Sequence, residues 1–105
     1  MIKENQILVV IKEPGQEPYV DPLFDNTLGA FQKAVYGYIE SVTLTTDMIL
    51  IVNEEGRIND MPYNVTVCGL DLYGPVIAVG VKGEEFASLK SSYVPHVRHL
   101  LRDTK

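Results

Sequence analysis

Residues 52–64, with the sequence VNEEGRINDMPYN, carry the densest set of side chains in this chain that could take part in chemistry. The segment supplies two neighbouring carboxylates, one cation and two amides, namely Glu54, Glu55, Arg57, Asn53 and Asn64. A carboxylate pair can serve general acid–base catalysis, but neighbouring side chains of an extended segment point to opposite faces. A solvated turn at Gly56 is therefore the favoured interpretation, and a ligand-contacting loop is the alternative.

Two other patterns could indicate reactive groups. His96 and His99 are three residues apart, as zinc ligands on a helix can be, but no clustered third ligand accompanies them. Cys68 is the single cysteine, and its neighbours Val67 and Gly69 favour a small, unreactive apolar side chain. The glycines around residues 74–83 match neither a dinucleotide-binding nor a P-loop pattern. We therefore predict no metal site, no cofactor and no catalytic residue.

The composition limits the class of protein. A chain of 105 residues fits a single domain, and 14 acidic against 9 basic residues give a formal charge of -5. An acidic surface repels phosphate backbones, so we do not expect nucleic acid as a partner. The apolar run at residues 7–11 is too short for a signal peptide or a membrane span. We expect a cytoplasmic protein without membrane contact.

The elements that must position the 52–64 segment can be predicted from periodicity. The stretch QILVVIKEPG is typical of a strand buried on both faces and central in a sheet. Apolar spacing from Leu28 to Tyr38, after possible N-caps at 25–27, predicts a helix in which Gly37 takes the left-handed position at the end. Residues 39–53 predict a hairpin of two antiparallel strands, which leads into the polar loop.

The remaining segments complete an α+β arrangement. Residues 14–25 predict a polar, partly extended connection, and residues 64–69 and 75–83 predict strands, of which one or both join the sheet. The stretch EEFASLK predicts a single helical turn, and a C-terminal helix is predicted at about 91–103. The expected fold is one mostly antiparallel sheet of about four to five strands, packed by one long helix and the C-terminal helix.

Several separated motifs occur together in one order: EPGQEPY, DNTLGAFQKAVYGYIE, ILIVNEEGRINDMPYN and GEEFASL. In this set the chain resembles the domain-of-unknown-function family 3846, from about residue 7 to about residue 89. Members of that family look like small proteins of phages, prophages and conjugative elements. Relatives often have a basic residue after the asparagine that corresponds to Asn64, where this chain has Val65. The resemblance implies a genetic context rather than a reaction.

These observations give one leading hypothesis and two alternatives. The leading hypothesis is a non-catalytic binding or regulatory module of a mobile element, which contacts a host or element protein or a small ligand. Loops held by a rigid sheet often carry binding residues, so Asn53, Glu54, Glu55, Arg57 and Asn64 are the candidate surface. The alternatives are a small enzyme that uses the same loop, and a homo-oligomer formed through an open strand edge or through the six tyrosines.

Overall fold

The computed structural model describes residues 5–102, and these form eight strands, two α-helices and one 3-10 turn. The strands are β1 (Gln6–Lys12), β2 (Tyr19–Asp25), β3 (Ile39–Thr45), β4 (Met48–Asn53), β5 (Tyr63–Val67), β6 (Leu70–Tyr73), β7 (Val76–Lys82) and β8 (Glu85–Ala87). The helices are α1 (Leu28–Val35) and α2 (Val94–Leu101), and the 3-10 turn is Ser91–Tyr93. This combination of strands and helices confirms the predicted α+β class.

The main sheet has six strands, so the predicted number of four to five is wrong. Its order is β2-β1-β7-β4-β3, with β8 paired to β7, and all of these pairs are antiparallel. The strand β1 lies between two neighbours, as its two-sided apolar sequence predicts. The predicted hairpin is present as β3 and β4, with Ile39 opposite Asn53.

The two additional strands come from segments that were predicted otherwise. The segment predicted as a connection contains β2, an edge strand that tolerates Pro22 because its outer side pairs with no strand of residues 5–102. The stretch predicted as a helical turn contains β8, because the chain reverses at Gly83, where φ is 65°, and residues 85–87 pair back onto β7. Pairing with a strand that is already buried outweighs the local preference for a helical turn.

The helix α1 is short, so the prediction of one long helix is wrong. It starts as predicted, since the Thr27 hydroxyl accepts a hydrogen bond of 3.1 Å from the N–H of Ala30. Its left-handed terminal residue is Tyr36, with φ of 65°, and not Gly37. A Cβ atom at Gly37 would lie 2.9 Å from Asn53 Nδ2, so this glycine permits a close approach between chain segments.

The strands β5 and β6 form a separate two-stranded ribbon. Of the two predicted strand segments after the loop, only the second joins the main sheet, as β7. The ribbon turns at Cys68 and Gly69, whose φ angles of 52° and 80° are those of a tight two-residue hairpin. Cys68 is therefore exposed at the tip, and the prediction of an inert apolar side chain among apolar neighbours does not describe its surroundings.

The main sheet carries an apolar core on each face. On one face α1 buries Phe31 and Val35 over a layer that includes Ile7, Val9, Ile51 and Ile77. On the other face Val65 and Leu72 of the ribbon and Val97 and Leu101 of α2 pack over a sheet layer that includes Val10 and Leu50. The strand β4 is buried along its whole length because both of its faces are covered.

The C-terminal helix is present but starts later than predicted. The 3-10 turn precedes α2, and Pro95 lies in the first turn of α2, where a missing N–H costs little. The predicted end at residue 103 lies outside the described residues. No helix within residues 5–102 is both long and apolar enough to cross a bilayer.

Candidate functional site

The loop predicted as the candidate surface follows β4 and folds into consecutive turns. The N–H of Asn59 donates to the carbonyl of Glu55 at 2.9 Å, and the N–H of Met61 donates to the carbonyl of Gly56 at 2.9 Å. Asp60 adopts a positive φ of 55° before the chain enters the ribbon. The loop is thus a hydrogen-bonded structure that positions its side chains.

Asn53 is buried and holds the end of α1 in place. Its Nδ2 donates to the carbonyl of Val35 at 2.8 Å, and its Oδ1 accepts from the N–H of Glu55 at 2.7 Å. One amide therefore satisfies a terminal helix carbonyl and fixes the first turn of the loop. Its donor and acceptor are both engaged within the protein.

Asn64 is also buried, with a relative exposure of 1%. Its Nδ2 donates to the carbonyls of Lys12 and Gly74 at 2.7 and 2.8 Å, and its Oδ1 accepts from Lys12 Nζ at 3.0 Å. These bonds join the ribbon to the end of β1. Both predicted asparagines thus support the candidate surface from inside.

The charged residues of the loop face solvent. Glu54, Glu55 and Arg57 are exposed, and the guanidinium carbon of Arg57 lies 5.8 Å from the centre of the Tyr73 ring. A depression of about 120 Å³ lies beside them, with Glu40 and Asp71 on its walls. This volume is well below the roughly 300 Å³ at which ligand sites begin. The depression suits water or one small polar group.

A larger concave surface lies between α1, β2 and the end of β1, and we call it the tyrosine groove. Its volume is about 480 Å³. The floor is apolar and consists of Ile11, Phe24, Ala30, Ala34 and Pro75. The rim is polar and aromatic and consists of Glu13, Tyr19, Asp21, Lys33 and Tyr36. Sequence reasoning missed this groove, because its residues come from separate segments of the chain.

The floor of the tyrosine groove is backed by aromatic packing. The rings of Phe24 and Phe31 are 4.9 Å apart between centroids, and Phe31 meets Phe86 edge to face at 5.2 Å. Because Phe31 lies on the buried face of α1, the groove wall rests on a packed core. Such support favours a groove that exists before any ligand arrives.

The rim has a negative side. Burial raises the pKa of Tyr19, and the neighbouring charges of Glu13 and Asp21 raise this pKa further. Asp21 Oδ1 accepts from the N–H of Leu23 at 3.0 Å, which orients that carboxylate. Tyr19 thus stays a neutral phenol across the ordinary pH range.

Five of the six tyrosines gather at one end of the main sheet. Tyr19 pairs with Ile11 near the end of β1, and the carbonyl of Tyr38 accepts from the N–H of Glu54 just after β4. The rings of Tyr63 and Tyr73 meet edge to face at 5.8 Å beside the same end of β1. Tyr36 and Tyr38 are 72% and 71% exposed, an unusual exposure for aromatic rings. This end combines the tyrosine groove with the charged loop residues.

The opposite end of the sheet holds a polar cluster around Asp47. Its carboxylate accepts from the hydroxyls of Thr45 and Tyr93 at 2.9 and 3.0 Å and pairs with Lys90 at 3.1 Å. The cluster ties the β3–β4 turn to the 3-10 turn, which indicates a structural role.

No group of three or more histidine, cysteine or acidic side chains within residues 5–102 could hold a metal ion.

The comparison with protein families agrees with the motifs. The model of the family described as "Domain of unknown function (DUF3846)" matches residues 6–102. The chain belongs to this family. The match extends past the resemblance predicted from the motifs and includes α2, so the DUF3846 unit here comprises the sheet, the ribbon and both helices. Neither the curated proteins nor the solved structures that were compared include a match to this DUF3846 chain.

Proposed function

We propose that this DUF3846 chain is a non-catalytic binding module and that the tyrosine groove is its ligand-contacting site. The observation that carries the proposal is the groove itself, with a volume of about 480 Å³, an apolar floor and a small number of polar groups at the rim. Small-molecule sites have this composition and typically measure about 300–1,000 Å³. A side chain of a protein partner would fit by the same criteria.

The exposed charges of the loop extend the proposed surface. Glu54, Glu55 and Arg57 lie at the same end of the sheet as Tyr36 and Tyr38, so a partner larger than the groove would meet them as well. Asn53 and Asn64 would act indirectly, because their amides hold α1 and the ribbon. The enzyme hypothesis has less support, since those two amides are engaged within the protein.

The family resemblance supports a role in a phage, prophage or conjugative element, in which the module would contact a host or element protein or a small ligand. A cytoplasmic location belongs to the same proposal, supported by the single cysteine, which leaves no internal disulfide to form. The proposed genetic element and the proposed location do not depend on the tyrosine groove.

The groove can be tested by titrating ¹⁵N-labelled protein with a library of aromatic fragments and following the amide resonances. Ala34→Trp fills the groove, and Leu28→Trp adds the same ring on α1 at a position that is 58% exposed and outside the groove lining. We expect fragments that shift the resonances of Tyr19 and Lys33, with loss of these shifts in Ala34→Trp and not in Leu28→Trp. Shifts confined to residues 53–57 would move the site to the loop, and no shifts at either place would overturn the proposal.

Self-association along β3 is a second candidate, and it is favoured by the contrast between the two sheet edges. The edge at β2 carries Asp21, Pro22 and a register shift, which are features that discourage strand addition. The edge at β3 has no proline, and Glu40 is its only charged residue. An unprotected edge of this kind can pair with a second copy of the chain.

The β3 sequence also suits pairing with itself. An antiparallel pair centred on Val42 would set Glu40 opposite Leu44, so the two carboxylates would not face each other. The carbonyl of Tyr38 points to β4, where it accepts from the N–H of Glu54. Because backbone directions alternate along a strand, the N–H and C=O groups of Ser41 and Thr43 point to the open edge, where they would pair with each other across the two-fold axis.

A further inference from the structure

We infer that the tyrosine groove selects a ligand with an apolar body and one cationic group, such as an ammonium or guanidinium group. The inference rests on the proposed function of the groove and specifies the chemistry of its ligand. The β1–β2 wall contributes Glu13 and Asp21, both partly buried, while Tyr19 and Tyr36 contribute aromatic faces. Carboxylates beside aromatic rings are the usual surroundings of a bound organic cation.

Neither carboxylate of this wall is neutralised by an ion pair in the described part of the chain. Within residues 5–102 the ion pairs join Lys90 to Asp47 and Arg102 to Glu17, and neither involves Glu13 or Asp21. The raised pKa of Tyr19 is consistent with a negative potential at this wall, since both carboxylates contribute to it after burial. This negative potential would stabilise a bound cation. The apolar floor would strengthen the attraction, because it keeps away water that would otherwise screen the charges.

The aromatic part of the rim is held by the backbone. Tyr36 occupies the left-handed region, with φ of 65°, and its N–H donates to the carbonyl of Gln32 as the cap of α1. Bulky residues rarely take this left-handed conformation. Here a tyrosine takes it, although the next residue in the chain is a glycine. The backbone of Tyr36 is therefore held at the rim of the groove, and its phenol ring is exposed there. Tyr19 faces the same space from β2.

Lys33 limits the charge of the ligand. It lies on the helix wall, opposite the strand wall that carries Glu13 and Asp21, and has no ion-pair partner within residues 5–102. It would repel a second positive charge at that side, and a neutral or anionic group of the ligand would be accepted there. The groove therefore favours a single cationic end directed towards β1 and β2.

The test uses three probes that share one phenylethyl body: phenethylamine as the cation, 2-phenylethanol as the neutral analogue and 3-phenylpropionate as the anion. Each is titrated into ¹⁵N-labelled protein, and the dissociation constant is read from groove resonances. We expect phenethylamine to bind at least about tenfold more tightly than either analogue, with a preference that shrinks as salt is added.

Isosteric neutralisation identifies the groups responsible. The double variant Glu13→Gln with Asp21→Asn should reduce the affinity for phenethylamine to that for 2-phenylethanol, and Lys33→Gln should increase it. Glu40→Gln removes one exposed carboxylate outside the groove lining and should change nothing. The asparagine at 21 can still accept from the N–H of Leu23, so the double variant keeps that local contact.

The outcomes separate the ligand chemistry from the proposed function. Equal binding of all three probes in the groove, or tightest binding of 3-phenylpropionate, would overturn the cation inference and leave the groove as a binding site. A cation preference that survives the double variant would also overturn it, because the charge would be recognised elsewhere. A failure of all three probes to shift groove resonances would overturn the groove and the inference together.

Discussion

Lys12 and Asn64 exchange hydrogen bonds in both directions at the junction of the main sheet and the ribbon. Lys12 Nζ donates to Asn64 Oδ1 at 3.0 Å, and Asn64 Nδ2 donates back to the carbonyl of Lys12 at 2.7 Å. Both side chains are 1% exposed, so a lysine lies inside the protein beside an amide 52 positions away. A fully buried lysine requires polar partners, and Asn64 supplies one of them.

Asn64→Leu should destabilise the protein by about 2–4 kcal/mol. The substitution keeps the approximate volume but removes the acceptor that Asn64 offers to the buried ammonium and the N–H donors that it offers to the two carbonyls of Lys12 and Gly74. Urea unfolding followed by circular dichroism measures the change. Asn59→Leu, at an exposed position of the same loop, should stay within about 0.5 kcal/mol. Similar losses in the free energy of unfolding in both variants would show that the buried hydrogen bonds of Asn64 contribute no more than an exposed side chain does.

Asn53→Ala should destabilise the protein by about 1–3 kcal/mol, because the carbonyl of Val35 and the N–H of Glu55 would both lose their partner. Glu54→Ala is the matched control, since the neighbouring side chain is exposed, and it should change the free energy of unfolding by less than about 0.5 kcal/mol. Thermal and urea unfolding of the two variants test the difference. A control as damaging as Asn53→Ala would contradict the supporting role assigned to Asn53.

Acid should weaken the cluster at Asp47. The hydrogen bond from Thr45 lowers the pKa of Asp47 below its usual 3.8, and contacts with Lys90 and Tyr93 lower it further. A lowered folded-state pKa means that this stabilisation is complete above the unfolded pKa and is lost as pH falls through the folded pKa. The affected window therefore lies below about pH 4.

The variant Asp47→Asn isolates this effect, because the amide keeps one acceptor oxygen but cannot titrate. Its free energy of unfolding should fall less steeply than that of the native chain between about pH 4 and pH 2. Asp60→Asn, at an exposed loop residue, should retain the native slope. Parallel slopes for the native chain and Asp47→Asn would count against a lowered pKa at this carboxylate.

Self-association through β3 predicts that the chain is dimeric at high concentration and that Ser41→Pro makes it monomeric without a large loss of stability. The N–H of Ser41 points to the open edge, so proline there removes no bond to β4. Val42→Pro removes an inward N–H and should lower the melting temperature strongly. Light scattering with thermal unfolding measures both properties. A native chain that stays monomeric at millimolar concentration would exclude this interface.

Local sequence was sufficient where neighbouring residues decide the structure. The apolar residues of β1, the hairpin at 39–53 and a helix start capped within residues 25–27 were predicted because burial, turn chemistry and capping act within a few positions. It failed for β2 and β8, where proline and acidic residues suggested a connection and a helical turn. Those segments became strands because β1 and β7 offered edges for pairing, and that information comes from distant parts of the chain.

The same distinction applies to the candidate site, where local patterns predicted one part and tertiary structure decided the other. By itself the sequence determined the polar loop with Glu54, Glu55 and Arg57 and the family motifs, because both are contiguous patterns. Tertiary structure alone decided that Asn53 and Asn64 turn inward, and that Tyr19, Lys33 and Pro75 surround one groove. The physical reason is that a hydrogen bond across 52 positions, or a concave surface between a helix and two strands, depends on how the sheet is ordered, and no local pattern encodes that order.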